Sequence, residues 1–150
     1  MTVEGLGWPT DMVADSQKNY VYIGDRYGIK DSQSDPDKPG LFIVTESEIS
    51  SHHPLDVIPA GLSMTSSNHL LVVCEHDKRG RSLRFFKGER SSDDIRLVEV
   101  VGRRIELQNL QRYLLQAVEL NNDTFAISQT NKKRHVHRII VINNSGIEVR

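Results

Sequence analysis

The stretch from Gln116 to Val149 limits what this chain can fold into more than any other. It reads QAVEL, the turn NND, TFAIS, a polar loop QTNKKR, then VHRIIVI, the turn NNSG and a final IEV. Short runs of apolar and β-branched residues between Asn/Asp/Gly turns are consecutive antiparallel strands. Four in succession make a meander.

The rest of the chain repeats this unit. The first copy opens at Gly7-Trp8-Pro9-Thr10, passes the turn Ser16–Asn19 into YVYIGD, and continues after the polar loop Arg26–Pro39 as GLFIVT. Its TESEISSHHPLDVI reads as a short outer strand and a connection. The second copy runs from AGLSM through HLLVVCEH and RSLRFFKG to IRLVEVV. Second strands align as VYIG at 21–24, LVVC at 71–74 and FAIS at 125–128. Third strands align as LFIV at 41–44, LRFF at 83–86 and IIVI at 139–142. A period of about fifty residues marks a three-fold internal repeat. The expected fold is all-β, one domain over 1–150, with units at 7–57, 58–102 and 113–150. Arg103–Arg112 is expected as a helical turn or a connecting loop. The cores between units are expected to use Val21, Ile23, Leu71, Val73, Phe125 and Ile127, with Ile43, Phe85 and Val141.

Composition bears on partners. With 19 Lys/Arg against 20 Asp/Glu, no global field draws the chain to nucleic acid or membranes. The charge is uneven, however. Residues 1–60 carry four Lys/Arg and ten Asp/Glu, whereas residues 61–150 carry fifteen and ten. Cys74 is the lone cysteine and lies within LLVVCE, where it reads as a buried small hydrophobe. No apolar run is long enough to cross a bilayer, and the N-terminus does not read as a signal peptide. The expected location is cytoplasmic, or extracellular if the sequence is a fragment that lacks its signal. Asn122-Asp123-Thr124 and Asn143-Asn144-Ser145 are glycosylation sequons that coincide with turns.

The third unit resembles the blades of NHL-repeat β-propellers. The resemblance lies in the Gln116-Ala117-Val118 start, the Asn121-Asn122-Asp123 turn, the run ending at Ser128, and His137-Arg138 ahead of Ile139–Ile142. Arg84 is a weaker equivalent of Arg138, and the first unit has Leu41-Phe42-Ile43 there. The resemblance implies three four-stranded antiparallel meander blades, half of a six-bladed ring. It implies either a fragment of a longer propeller or a homodimer that closes the ring about a two-fold axis. It also implies a non-catalytic scaffold that presents rim loops to a protein or other macromolecule, with RNA binding or a channel-metal hydrolase or lyase as alternatives.

Candidate binding residues are basic. Lys78, Arg79 and Arg81 lie on one hairpin connection, and Lys132, Lys133, Arg134 and Arg138 on the equivalent one, so both should share a rim. Arg84, Lys87 and Arg90 extend the first group. Phosphate contacts would supply affinity there, although no aromatic interleaves with these bases as a stacking platform. No catalytic residue, metal site or cofactor is implied. His52 and His53 are adjacent, point to opposite faces of a strand and sit in a Ser/Pro-rich connector expected to be solvated. His135 and His137 share a face, but among Lys and Arg. Asp31, Asp35 and Asp37 do not fit a calcium loop, because Pro36 stands where glycine is needed.

Overall fold

The computed structural model describes residues 5–27, 38–46, 48–76, 80–91, 94–107, 113–121, 123–131 and 136–149. Among them every regular element is a strand, and the strands form three antiparallel sheets in chain order. Sheet 1 holds β1 (Pro9–Asp15), β2 (Tyr20–Asp25), β3 (Gly40–Val44) and β4 (Ile49–Pro54). Sheet 2 holds β5 (Ile58–Met64), β6 (Leu70–His76), β7 (Gly80–Ser91) and β8 (Asp94–Glu99), with β9 (Ile105–Leu107) also on β7. Sheet 3 holds β10 (Tyr113–Asn121), β11 (Thr124–Asn131) and β12 (Val136–Asn143). No helix among the described residues is long and apolar enough to cross a membrane.

The sheets are meanders, but they are not uniformly four-stranded. In sheet 2 the long β7 carries two outer partners. Its Arg81–Leu83 half pairs with β9, and its Phe86–Ser91 half pairs with β8. The stretch read as a helical turn or loop therefore contains a strand, signalled only by the alternation Ile105-Glu106-Leu107. In sheet 3 the fourth position is reduced to a bridge between Ile142 and Glu148, with Val149 N–H donating to Val141 O at 2.7 Å. Gly146 closes that turn at φ +77°, and a Cβ there would lie 2.8 Å from Glu106 O. Only glycine meets both demands.

The ladders define how the three units correspond. Each first strand skips one residue near its start: Thr10, Ala60 and Leu115. Counting from these bulges, Met12, Leu62 and Ala117 are equivalent, and so are their partners Ile23, Val72 and Ile127. The same count makes Val21, Leu70 and Phe125 equivalent. The alignment that set Leu71 against Val21 is thus one residue out. A one-residue slip exchanges the two faces of a strand, and LLVVC is apolar on both.

Each sheet has a rear face toward the preceding sheet and a front face toward the next. Tyr20, Tyr22, Leu41 and Ile43 on the front of sheet 1 pack on Leu62, Leu70, Val72 and Phe86 on the rear of sheet 2. Leu71, Val73, Leu83 and Phe85 on the front of sheet 2 pack on Ala117, Phe125, Ile127, Ile140 and Ile142 on the rear of sheet 3. β8 adds Ile95 and Leu97 to the first core, and β9 adds Ile105 and Leu107 to the second. Val21 and Ile23 do not join an inter-sheet core as expected. They lie on the rear of sheet 1 in a satellite cluster with Leu6, Phe42, Val44 and Ile49. The two tyrosines of YVYIGD face sheet 2 instead. Val141 is half-buried on the front of sheet 3, outside both cores.

Side chains lace the first strands together. Thr10 Oγ1 donates to Pro59 O, and Leu62 N–H donates to Asp11 Oδ2 at 2.8 Å. Gln116 Nε2 reaches Asp11 Oδ2 at 2.9 Å and Leu62 O at 3.0 Å, and Ser63 Oγ donates to Ala117 O at 2.7 Å. Backbone groups on the free edge of a first strand would otherwise be unpaired, so these bonds satisfy them. Gly24 permits the approach, since a Cβ there would sit 2.9 Å from Thr10 Oγ1 and 3.3 Å from Pro59.

Candidate binding rim

Two bonds establish which loops share an end of the stack. Thr10 and Pro59 join the starts of β1 and β5, and Leu114 N–H at the start of β10 donates to Glu75 Oε1 at the end of β6, 3.1 Å away. The starts of the first strands and the ends of the second strands are therefore on one rim. All three connections from second to third strand leave from it, including both basic hairpins.

The described bases are mostly engaged. Arg81 Nε lies 3.2 Å from Glu75 Oε1. Arg138 donates to Gln129 Oε1 at 3.2 Å and to Glu148 Oε2 at 3.0 Å. Lys78, Arg79, Lys132, Lys133 and Arg134 lie outside the described residues, as do Asp31, Asp35, Asp37 and His135. Arg84 is not part of a rim patch. It is buried at the position that holds Phe42 and Ile140 in the other sheets, and it pairs with Asp56 at 3.0 Å. Lys87 pairs with Glu89 at 3.1 Å, and Arg90 is exposed near the far end of β7.

Gln129 is almost fully buried beneath this rim, and its Nε2 has no partner. Arg138 can only donate, which fixes Oε1 toward it and leaves the NH2 facing elsewhere. An unpaired buried donor costs about 1–3 kcal/mol.

An aromatic pair also stands on this rim, in sheet 1. Trp8 is 62% exposed and Tyr27 46% exposed, their rings meeting edge to face at 6.2 Å. Arg26 lies over the Tyr27 ring at 5.7 Å. A buried carboxylate holds the arrangement. Asp25 accepts from Trp8 N–H at 3.0 and 3.1 Å and from Tyr27 N–H at 2.8 Å, while Arg26 N–H donates to Trp8 O at 2.9 Å. Large aromatics left in water on a backbone fixed from below are prepared to contact something. Sequence reading missed this group because its members are distant until the register Pro9↔Asp25 brings them together. The usable signal was a Trp just before one strand and a Tyr just after its hairpin partner.

The opposite rim is a staple between sheets. Ser66 N–H and Oγ donate to Glu119 Oε2 at 2.6 and 2.7 Å, and Arg103 reaches Glu119 Oε1 at 3.1 Å and His69 Nδ1 at 3.2 Å. Burial alone would raise the Glu119 carboxyl, but these donors outweigh it and hold it below the ordinary carboxylate range. A polar cavity of about 400 Å³ beside the staple is lined by Arg103, Arg104, Asp123, Asn144 and Ser145. Both arginines are committed to glutamates there.

Neither histidine nor cysteine forms a reactive centre among the described residues. His52 and His53 are on β4, not in a solvated connector, and they do point to opposite faces. His52 stacks on Phe42 at 4.4 Å, and His53 meets Phe86 edge-on at 5.5 Å. Burial depresses the pKa of both, with the charge of His53 adding to the effect on His52. His137 is exposed on β12. Cys74 is buried, and burial pushes its thiol up to about 12, so it is an inert core residue. Among the described residues no three His, Cys, Asp or Glu side chains converge as metal ligands. No family model, curated protein or solved structure matches the chain, and the geometry of the rim alone carries the functional reading.

Proposed function

We propose that the chain is a propeller-like binding scaffold whose rim of second-to-third strand connections docks a segment of another protein. The observation that carries this reading is the exposed Trp8–Tyr27–Arg26 group on the buried Asp25 carboxylate. Trp, Tyr and Arg are the residue types that dominate binding energies at protein interfaces, because they bury much area with few rotamers to fix. Here their backbone is fixed in advance, which lowers the ordering cost of binding.

Trp8 is the single tryptophan, so its emission reports on this rim without labelling. Peptides selected on the chain from a random display library should shift Trp8 emission. They should lose about tenfold or more in affinity to Trp8→Ala, the effect of about 1.4 kcal/mol or more expected of a hot spot. Selected peptides that bind Trp8→Ala and Tyr27→Ala as tightly as the parent chain would overturn the reading.

RNA is the second reading, favoured by the basic residues on the two equivalent hairpins and by the aromatic pair that shares their rim. Stacking of a base on Trp8 or Tyr27 would be worth about 1–3 kcal/mol. Single-stranded oligonucleotides should then quench Trp8, with an affinity that falls steeply between about 50 and 200 mM salt. Charge reversal at Arg79 and Lys133 should abolish the effect, and binding untouched by that reversal would overturn RNA recognition through these hairpins.

A further inference from the structure

At the rim opposite Trp8, another cavity lies between the front of sheet 1 and the rear of sheet 2. It measures about 420 Å³ and is lined by Gln17, Lys18, Tyr20, Gly88, Arg90 and Ile95. Lys18 crosses the gap from the β1–β2 turn, and its ammonium donates to Gly88 O at 3.2 Å. Gly88 keeps the space open, since a Cβ there would stand 3.1 Å from Tyr22 Oη and 3.6 Å from Lys18 Nζ. Arg90, two residues further along the same face of β7, is exposed. Among the described residues neither cation has a carboxylate partner. Asp15, buried beside Tyr22, is already committed. Its carboxylate accepts from Gln17 N–H at 3.1 Å and from Tyr22 Oη at 3.3 Å.

The repeat shows how the corresponding place between sheets 2 and 3 is balanced. Tyr20 and His69 are equivalent, and so are Gly88 and Asn144. Over His69 the chain supplies both charges itself: Arg103 lies 3.2 Å from His69 Nδ1, and Glu119 neutralises that arginine at 3.1 Å. Over Tyr20 the described residues supply two cations, an open volume and no uncommitted carboxylate.

We infer that this cavity binds a small phosphate monoester with a compact apolar body. A phosphate monoester carries close to two negative charges at neutral pH, which two cations match. A carboxylate would leave one of them unbalanced. The Arg90 guanidinium offers paired N–H donors that fit phosphate oxygens, and Lys18 adds a point charge already positioned by Gly88 O. Tyr20 and Ile95, 8% and 6% exposed, give the body an apolar wall. The volume is that of a site for a small ligand.

The test is a titration of the chain with phenyl phosphate, read at the Gly88 amide and Ile95 methyl resonances. Saturable shifts are expected at both, with the Trp8 indole at the opposite rim unmoved. Arg90→Gln and Lys18→Gln should keep the parent circular dichroism, and each should weaken binding about tenfold or more. Benzoate, with a single charge, should bind several times more weakly than phenyl phosphate. The absence of a saturable shift up to about 10 mM phenyl phosphate would overturn the inference. So would equal affinities for the two probes, or binding that both substitutions leave unchanged. A phosphotyrosyl peptide that bound more tightly than phenyl phosphate would overturn the small-molecule assignment and make the cavity a docking site for a modified protein.

Discussion

The two terminal sheets share a register and differ in what covers their outer faces. On the rear of sheet 1, Phe42 and Val44 are buried, with Leu6, Val21 and Ile49 packed around them and the His52 ring stacked on Phe42. On the front of sheet 3, Ile139, Leu120 and Val118 stand in water. Apolar side chains thus recur at repeat positions whether or not a neighbour is present. What the repeat specifies is a sheet to be stacked, and only the environment decides whether a residue such as Ile139 is core or surface.

The sharpest way to probe this comparison is to truncate equivalent side chains. Phe85→Ala removes a ring held edge-on to Phe125 at 5.6 Å and covered by the Arg103 guanidinium at 4.4 Å. A loss of about 3–5 kcal/mol is expected in urea unfolding. Val141→Ala, at the equivalent open position, should cost below about 1 kcal/mol in the dilute chain. Equal losses would break the comparison.

Gly24→Val tests the approach of the first strands. A side chain there must displace Thr10 and Pro59, and about 1–3 kcal/mol should be lost. Asp11→Ala strips the acceptor from Leu62 N–H and from Gln116, and should cost a similar or slightly smaller amount, about 1–3 kcal/mol. Asp11→Asn keeps an acceptor oxygen and should recover part of that. Denaturant midpoints of the three variants decide the order.

The smallest effect expected is on pH. Burial depresses the pKa of His52, His53 and His69 below 6.5, the value each has when unfolded. The unfolded chain therefore takes up these protons before the folded one. Their stabilisation is full above about pH 6.5 and is lost as pH falls through the folded values. The melting temperature should drop by a few degrees between about pH 7.5 and 5.5, and His53→Gln should flatten the slope. A melting temperature that rises over that interval would contradict the burial of these rings.

Much of the fold was legible in the sequence, because strand runs and turn residues alternate clearly in all three units. The choice of face was not. YVYIGD carries Tyr on one side and Val/Ile on the other, so alternation gives no preference, and tertiary packing put the tyrosines inward. LLVVC has the same ambiguity, which hid the one-residue offset of β6. β9 escaped notice because three residues carry little periodicity. The candidate site was less legible still. Basic hairpins are visible as charge, but Trp8, Asp25 and Tyr27 become a group only through the β1–β2 register. Arg84 looked like a surface base and is a buried partner of Asp56.

The central claim, that the repeat places apolar side chains on the front of sheet 3 where only a covering neighbour would bury them, is most directly tested by methyl solvent accessibility. A soluble paramagnetic chelate should leave the methyls of Leu41, Ile43 and Leu83 sharp at every concentration. The Ile139 methyls should broaden in dilute solution, and those of half-buried Val141 less strongly. Ile139 methyls that stay as sharp as those of Leu41 in dilute solution would contradict the claim.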